Sequence, residues 1–144
     1  MINLAIAEKR GFFSIDALLA LSLLVIVATS LITLSEGRRK SAEAIEIHLE
    51  AKMIGDRLAA AMNSVYVNGP NISLSLKLPE NIGPYPYRVF SDNSVGLLTV
   101  ESSVEVVEIN TVCKNFKNFV LERENLTKKI QIFWEGSQLC IAGR

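Results

Sequence analysis

The chain has 144 residues, with 15 Lys+Arg against 15 Asp+Glu and a net charge of zero. That balance speaks against a nucleic-acid binder held by phosphate contacts, which shows a basic excess. At 49% hydrophobic and 21% charged residues the chain is not globally disordered, and one histidine and two cysteines are fewer than a four-ligand Cys/His zinc cage usually draws on. The mean hydropathy of +0.29 is high for a soluble domain, and its source is local.

That source is the first element. From Phe12 to Leu34 the chain is apolar except for Ser14, Asp16, Ser22, Thr29, Ser30 and Thr33. Residues Ala17 to Leu34 form an uncharged run of 18, without proline or glycine. This length meets the threshold for a membrane-spanning helix. The hydroxyls can bond back to the preceding turn, so they do not break it. A secretory signal has an apolar region of about 7–15 residues ending in a small-residue cleavage site. Here the run is longer, and Ala28-Thr29-Ser30 is only a weak match to such a site. A plain signal anchor is the simplest alternative.

Two features fit a plain anchor poorly. Glu8-Lys9-Arg10-Gly11-Phe12-Phe13 places charge, one glycine and two aromatics directly before the run. Glycine there has no helix-forming value but offers a protease an unhindered backbone. Asp16 then puts a carboxylate inside an apolar segment, which costs a few kcal/mol on insertion scales and usually signals a pairing or function. The segment Lys9-Arg10-Gly11-Phe12-Phe13-Ser14-Ile15-Asp16 resembles the prepilin signal of type IV pilins and type II secretion pseudopilins. It is nearest the looser prepilin-like pattern of archaeal surface filaments. In that family a membrane peptidase cuts after the glycine, and the apolar segment is retained as the helical core of a filament. The resemblance implies that Gly11 and Phe12 flank the cleaved bond. It places Asp16 at the fifth mature position, where the family usually has glutamate. Asp16 can then compensate the new α-amine of a neighbouring Phe12, since either charge alone in a low-dielectric core is costly. The other reading of Asp16 is an interfacial carboxylate favoured by the helix macrodipole. The resemblance also needs the leader inside and the C-terminal part outside. Arg38-Arg39-Lys40, after the run, argues for the reverse by the positive-inside rule.

Gly37 is an expected soft point. Residues Ser41 to Tyr66 lack proline and are rich in helix formers. Ala42, Ile45, Leu49 and Met53 recur at helical spacing, and Ile54, Leu58, Ala61 and Val65 form a second stripe on another face. The first is expected to pack on neighbouring subunits and the second on the chain's own head. The alternative is one helix of a globular core. His48 reads as a solvated or partly packed histidine.

Asn68-Gly69-Pro70-Asn71 stops the helix, and β structure follows. Ile72, Leu74, Leu76 and Leu78 alternate with polar residues as a half-buried strand. Pro79, Gly83, Pro84 and Pro86 mark a loop around Tyr85 and Tyr87. Further strands are expected over Arg88-Val89-Phe90, Gly96 to Glu101, Val104 to Ile109, Ile130 to Trp134 and Leu139 to Ala142, with a hairpin turn at Glu135-Gly136-Ser137. Asn115 to Asn125 is open between strand, helix and loop. Cys113 and Cys140 would form a disulfide if the head is extracellular, similar to the C-terminal disulfide of many pilins, or else stay as reduced buried thiols. Asn71-Ile72-Ser73 and Asn125-Leu126-Thr127 are N-glycosylation sequons. Tyr85, Tyr87, Phe116 and Phe119 are candidates for a contact surface, with core packing the commoner use.

The expected fold class is α+β: a long N-terminal helix, apolar then amphipathic, followed by a small antiparallel β-sheet head packed on its C-terminal half. The expected divisions are a leader over 1–11, an apolar helix over 12–34, an amphipathic helix over 35–66 and a β-rich head over 67–144. The expected function is that of a structural filament or secretion-pilus subunit, not an enzyme, with no cofactor and no metal. Its partners would be a prepilin peptidase, the membrane, and other copies or related pilin subunits, with no nucleic acid. It would begin as a membrane-inserted precursor and end at the cell surface. The alternative is an uncleaved single-span protein presenting a small extracellular binding domain.

Overall fold

The computed structural model describes the backbone of residues 3–143 and the side chains of residues 15–143. The helix α1 spans Asn3–Asn68. Gly37 does not interrupt it. A lone glycine costs a helix only about 1 kcal/mol, and the residues flanking Gly37 carry the helix across it, with Ser41 Oγ donating to the Gly37 carbonyl at 3.1 Å. The expected stop is where the helix ends. Gly69 takes φ +84°, and its N–H bonds the Val65 carbonyl at 3.1 Å, closing the last turn before Pro70.

The chain forms two compact units, Met1–Glu43 and Ala44–Arg144. Over its described residues the first is helix alone. The second joins the C-terminal part of α1 to eight short strands. These are β1 (Leu74–Leu76), β2 (Asn81–Ile82), β3 (Tyr85–Asp92), β4 (Leu97–Ser102), β5 (Val106–Asn110), β6 (Val120–Leu121), β7 (Ile130–Glu135) and β8 (Gln138–Gly143), with a one-turn helix α2 (Arg123–Leu126) before β7. One sheet has the order β1-β7-β8 and the other β2-β3-β4-β5, with β6 also on β3. Every strand pair is antiparallel. The class is therefore α+β, with antiparallel sheets packed on one long helix.

Three local expectations change. The strand drawn from Ile72 to Leu78 shortens to β1. Tyr85 and Tyr87 lie in β3 rather than a loop, because Gly83 at φ +53° turns β2 tightly into β3. The open segment 115–125 is divided three ways. Phe116 makes a parallel bridge to Leu139, Val120–Leu121 joins β3, and Arg123–Leu126 is helical.

The core of the second unit is laid down by one stripe of α1. Ile47, Ala51, Ile54, Leu58, Met62 and Val65 are all buried, and their spacing of three or four residues keeps them on one face. Opposite them lie Leu98 and Val100 of β4, Ile130 and Ile132 of β7, and Leu139 and Ile141 of β8. Gly55 lets the helix approach the sheet closely. A methyl group there would stand 1.9 Å from Ile109 Cδ1 and 3.2 Å from Val100 Cγ2. Polar ties fix the rest. Trp134 Nε1 donates to the Val65 carbonyl at 3.2 Å while its ring stacks on Tyr66, and Asn63 Oδ1 accepts the N–H groups of Val112 and Cys113 at 3.1 and 3.2 Å. Of the four aromatics named as candidates for contact, Tyr87 and Phe116 are buried, and Tyr85 and Phe119 pack against the core.

Candidate assembly surface

The first unit presents an apolar helix with nothing covering it. From Ile15 to Leu34 every residue is exposed, including twelve large aliphatic side chains at 54–65%. Their polar neighbours are satisfied internally. Ser22 Oγ donates to the Leu19 carbonyl and Ser30 Oγ to that of Ile26, both at 2.8 Å, while Thr29 bonds Val25 and Thr33 bonds Thr29. From residue 17 to 34 the surface is therefore as apolar as its hydrocarbon, which is what a bilayer core demands of a spanning segment. The stretch is long and apolar enough to cross a membrane, and it is not buried. The magnitude decides the matter of water. Each aliphatic side chain left this exposed forfeits about 1 kcal/mol or more, on the order of 10–20 kcal/mol for the twelve. That equals or exceeds the whole net stability of an ordinary domain, about 5–15 kcal/mol. Lipid or protein must cover this helix.

Asp16 is exposed within that segment. Gly11 and Phe12 lie outside the residues whose side chains are described. Arg38, Arg39 and Lys40 follow the apolar run as exposed cations. The ion pairs among the described residues are His48–Glu105 and Arg88–Glu101, so the three cations have no carboxylate partner there.

On the second unit, α1 carries the other expected stripe. Ile45, Leu49 and Met53 are 60%, 58% and 47% exposed, although they alternate with the buried residues of the opposite face. His48 is not simply solvated. Its Nδ1 meets Glu105 Oε1 at 2.8 Å, which ties the β4–β5 turn to the helix. The Gly83 N–H bonds Glu50 Oε2 at 2.7 Å and does the same for the β2–β3 turn. Sequence periodicity gives no weight to Glu50, Asn63 or Glu105, because their partners are 33 to 57 residues away.

The other candidate positions are dispersed. Cys113 and Cys140 are free, buried thiols in the structure and are not bonded to each other. The reason is strand parity. Residues paired across an antiparallel ladder share a face. Ile132 pairs with Ile141 and Trp134 with Leu139, and these face the core, so Cys140, paired with Phe133, points to the other side of the sheet. There its thiol donates to Glu135 Oε2 at 3.3 Å. Cys113 is fully buried within the core, against α1. Burial raises both thiol pKa values, and the Glu135 carboxylate raises that of Cys140 further. Of the two sequons, Asn71 is exposed, whereas Asn125 is half-buried in α2, with its backbone against Gly143. Among the described residues no three His, Cys, Asp or Glu side chains gather as metal ligands.

No family model matches the chain, and no curated protein or solved structure does. The surface itself therefore carries the functional reading: an uncovered apolar helix, a basic collar after it, and a second uncovered stripe on the folded unit.

Proposed function

We propose that the chain is a structural subunit of a surface filament or secretion pilus, assembled through its apolar helix. The observation that carries this reading is the fully exposed run from Ile15 to Leu34, which continues in one helix into a folded α+β unit. In the precursor, lipid covers the run. A prepilin-type peptidase cuts between Gly11 and Phe12, and other copies then replace the lipid around the retained helix. Asp16 pairs with the α-amine of Phe12 on an adjacent copy and sets the axial register, because neither charge is tolerated alone among apolar side chains. The β-rich head remains on the outside, where it makes adhesion or assembly contacts.

The test is the N-terminus and intact mass of the protein taken from its native membrane or cell surface. A chain that starts at Phe12 and keeps the apolar run is the expected result. A chain starting at Met1 refutes processing and leaves a single-span protein presenting a small binding domain. A start beyond Leu34 means ordinary secretion and refutes both membrane readings.

A further inference from the structure

We infer that the Ile45–Leu49–Met53 face of α1 is covered by residues 27–38 of a second copy lying parallel to it, with Arg38 of that copy against Asp56. This rests on the filament reading and gives it a specific contact.

The chain's own head cannot cover the stripe. At 100° per residue, Ile45, Leu49 and Met53 point about half a turn away from Ile47, Ala51, Ile54 and Leu58, which already face the sheets. Lipid is a poor cover as well, since the exposed charges Glu46 and Lys52 lie among the stripe residues. A row of three apolar side chains, each four residues from the next, is a ridge, and what fits a ridge is the groove of another helix.

The same chain supplies such a helix. Val27, Leu31 and Leu34 are 54%, 61% and 56% exposed, and they repeat at four and three residues. Arg38 comes 11 residues after Val27, and Asp56 comes 11 residues after Ile45. Eleven residues are close to three full turns, so each charge ends its own ridge on the same face. Both charges are exposed, and neither has an ion-pair partner among the described residues. Laid parallel, Val27 meets Ile45, Leu31 meets Leu49, and Arg38 meets Asp56. Laid antiparallel, Arg38 would fall on Ile45 and Asp56 on Val27, leaving two desolvated charges without counterions. The charges therefore select the parallel arrangement. Because the two contacting segments differ, the interface is heterologous and propagates from copy to copy instead of closing as a pair.

The experiment uses the full chain in its source cells, with two differently tagged copies. One carries Leu31→Cys and the other Leu49→Cys, both at exposed positions, and the cell surface is oxidised briefly. A mixed-tag disulfide dimer is expected at about tenfold or more above the control pair Leu31→Cys with Val112→Cys, which lies on the head and is 71% exposed. In parallel, Arg38→Asp and Asp56→Arg are each expected to cut the yield of sheared, sedimentable filaments by about tenfold, the scale of a like-charge contact at a packed interface. The double exchange is expected to restore that yield to within about twofold. If wild-type filaments sediment but the 31–49 pair stays at control level, or the double exchange rescues nothing, the contact is wrong and the filament reading stands. If wild-type copies do not sediment and no introduced cysteine pair cross-links, the filament reading fails, and this contact fails with it.

Discussion

Gly55 offers a quantitative test of how the second unit is held together. A Cβ added there would stand 1.9 Å from Ile109 Cδ1, 3.1 Å from Ile109 Cγ1 and 3.2 Å from Val100 Cγ2. Gly55→Ala gains about 1 kcal/mol of helix propensity. Against this stands overpacking of the helix–sheet seam, typically 1–3 kcal/mol. The first contact can be relieved by turning the tip of Ile109 outward, since that residue is only half-buried. The other two involve atoms nearer the backbone and require the helix to lift. A net loss of about 1 kcal/mol is expected. Ile109→Val removes Cδ1 and alone costs about 0.5–1.5 kcal/mol. In that background Gly55→Ala keeps its helix gain and loses its worst clash, so it becomes neutral or stabilising. The coupling across the double-mutant cycle should be about 1–2 kcal/mol in favour of the double variant. Urea unfolding of the 44–144 unit, followed by far-UV circular dichroism, measures all four corners, with midpoints compared at constant slope. A cycle additive to within about 0.5 kcal/mol would mean the two positions do not touch. The close approach of α1 to β4 and β5 would then be refuted.

Three further outcomes follow from contacts in the same unit. Both cysteines should resist maleimide in the native protein and react fully in urea, and the unfolded mass should show two free thiols; a mass lower by two hydrogens would refute the free-thiol state. Asn63→Ala removes the acceptor of two backbone N–H groups and is expected to cost about 1–3 kcal/mol, with Asn63→Asp, which keeps the acceptor, costing less on the same urea curve. Tyr87 is buried, donates to the Pro79 carbonyl at 2.6 Å, and has its pKa raised well above the ordinary phenol value by desolvation. The fold favours the neutral form, so this stabilisation is complete below about pH 10 and is lost as pH rises beyond it, where the unfolded tyrosine ionises first. Stability measured from pH 9 to 11 should fall in the native sequence and fall less steeply in Tyr87→Phe; equal slopes would mean the phenol is solvated.

Local physics made much of this fold legible. The apolar run is unbroken by proline or glycine, so it forms helix wherever its exterior is covered. The two stripes on Ser41 to Tyr66 are separable by period alone. Structure assigns Ile54, Leu58, Ala61 and Val65 to the core and leaves Ile45, Leu49 and Met53 exposed. Strand positions after Asn68 followed from alternation and turn residues. Most boundaries moved by one or two residues, because ladder ends depend on the partner strand. The segment 115–125 was illegible for a related reason. Its residues are ordered by bridging to β3 and β8, a long-range pairing that leaves no local period.

What the sequence withheld are the pairings that depend on parity and depth. Cys113 and Cys140 have a spacing compatible with a disulfide, and a loop of that length would gain roughly 3–4 kcal/mol from closure on the chain-entropy model. That gain is available only if both side chains face the same space. A strand sends successive side chains to opposite faces, so moving a cysteine by one position takes it from one side of the sheet to the other. Cys140 lies between Leu139 and Ile141, which face the core, and so it takes the opposite side of the sheet from the core that holds Cys113. Parity follows from register, and register is set by Ile132 and Trp134 seating against Ile141 and Leu139. The same logic applies to Gly55. Nothing in the local helix pattern asks for glycine there, and the demand comes from Ile109, 54 residues later, pressing on the helix from β5. Positions like these can be inferred only once the sheet has been placed, which is why they are also the most direct tests of that placement.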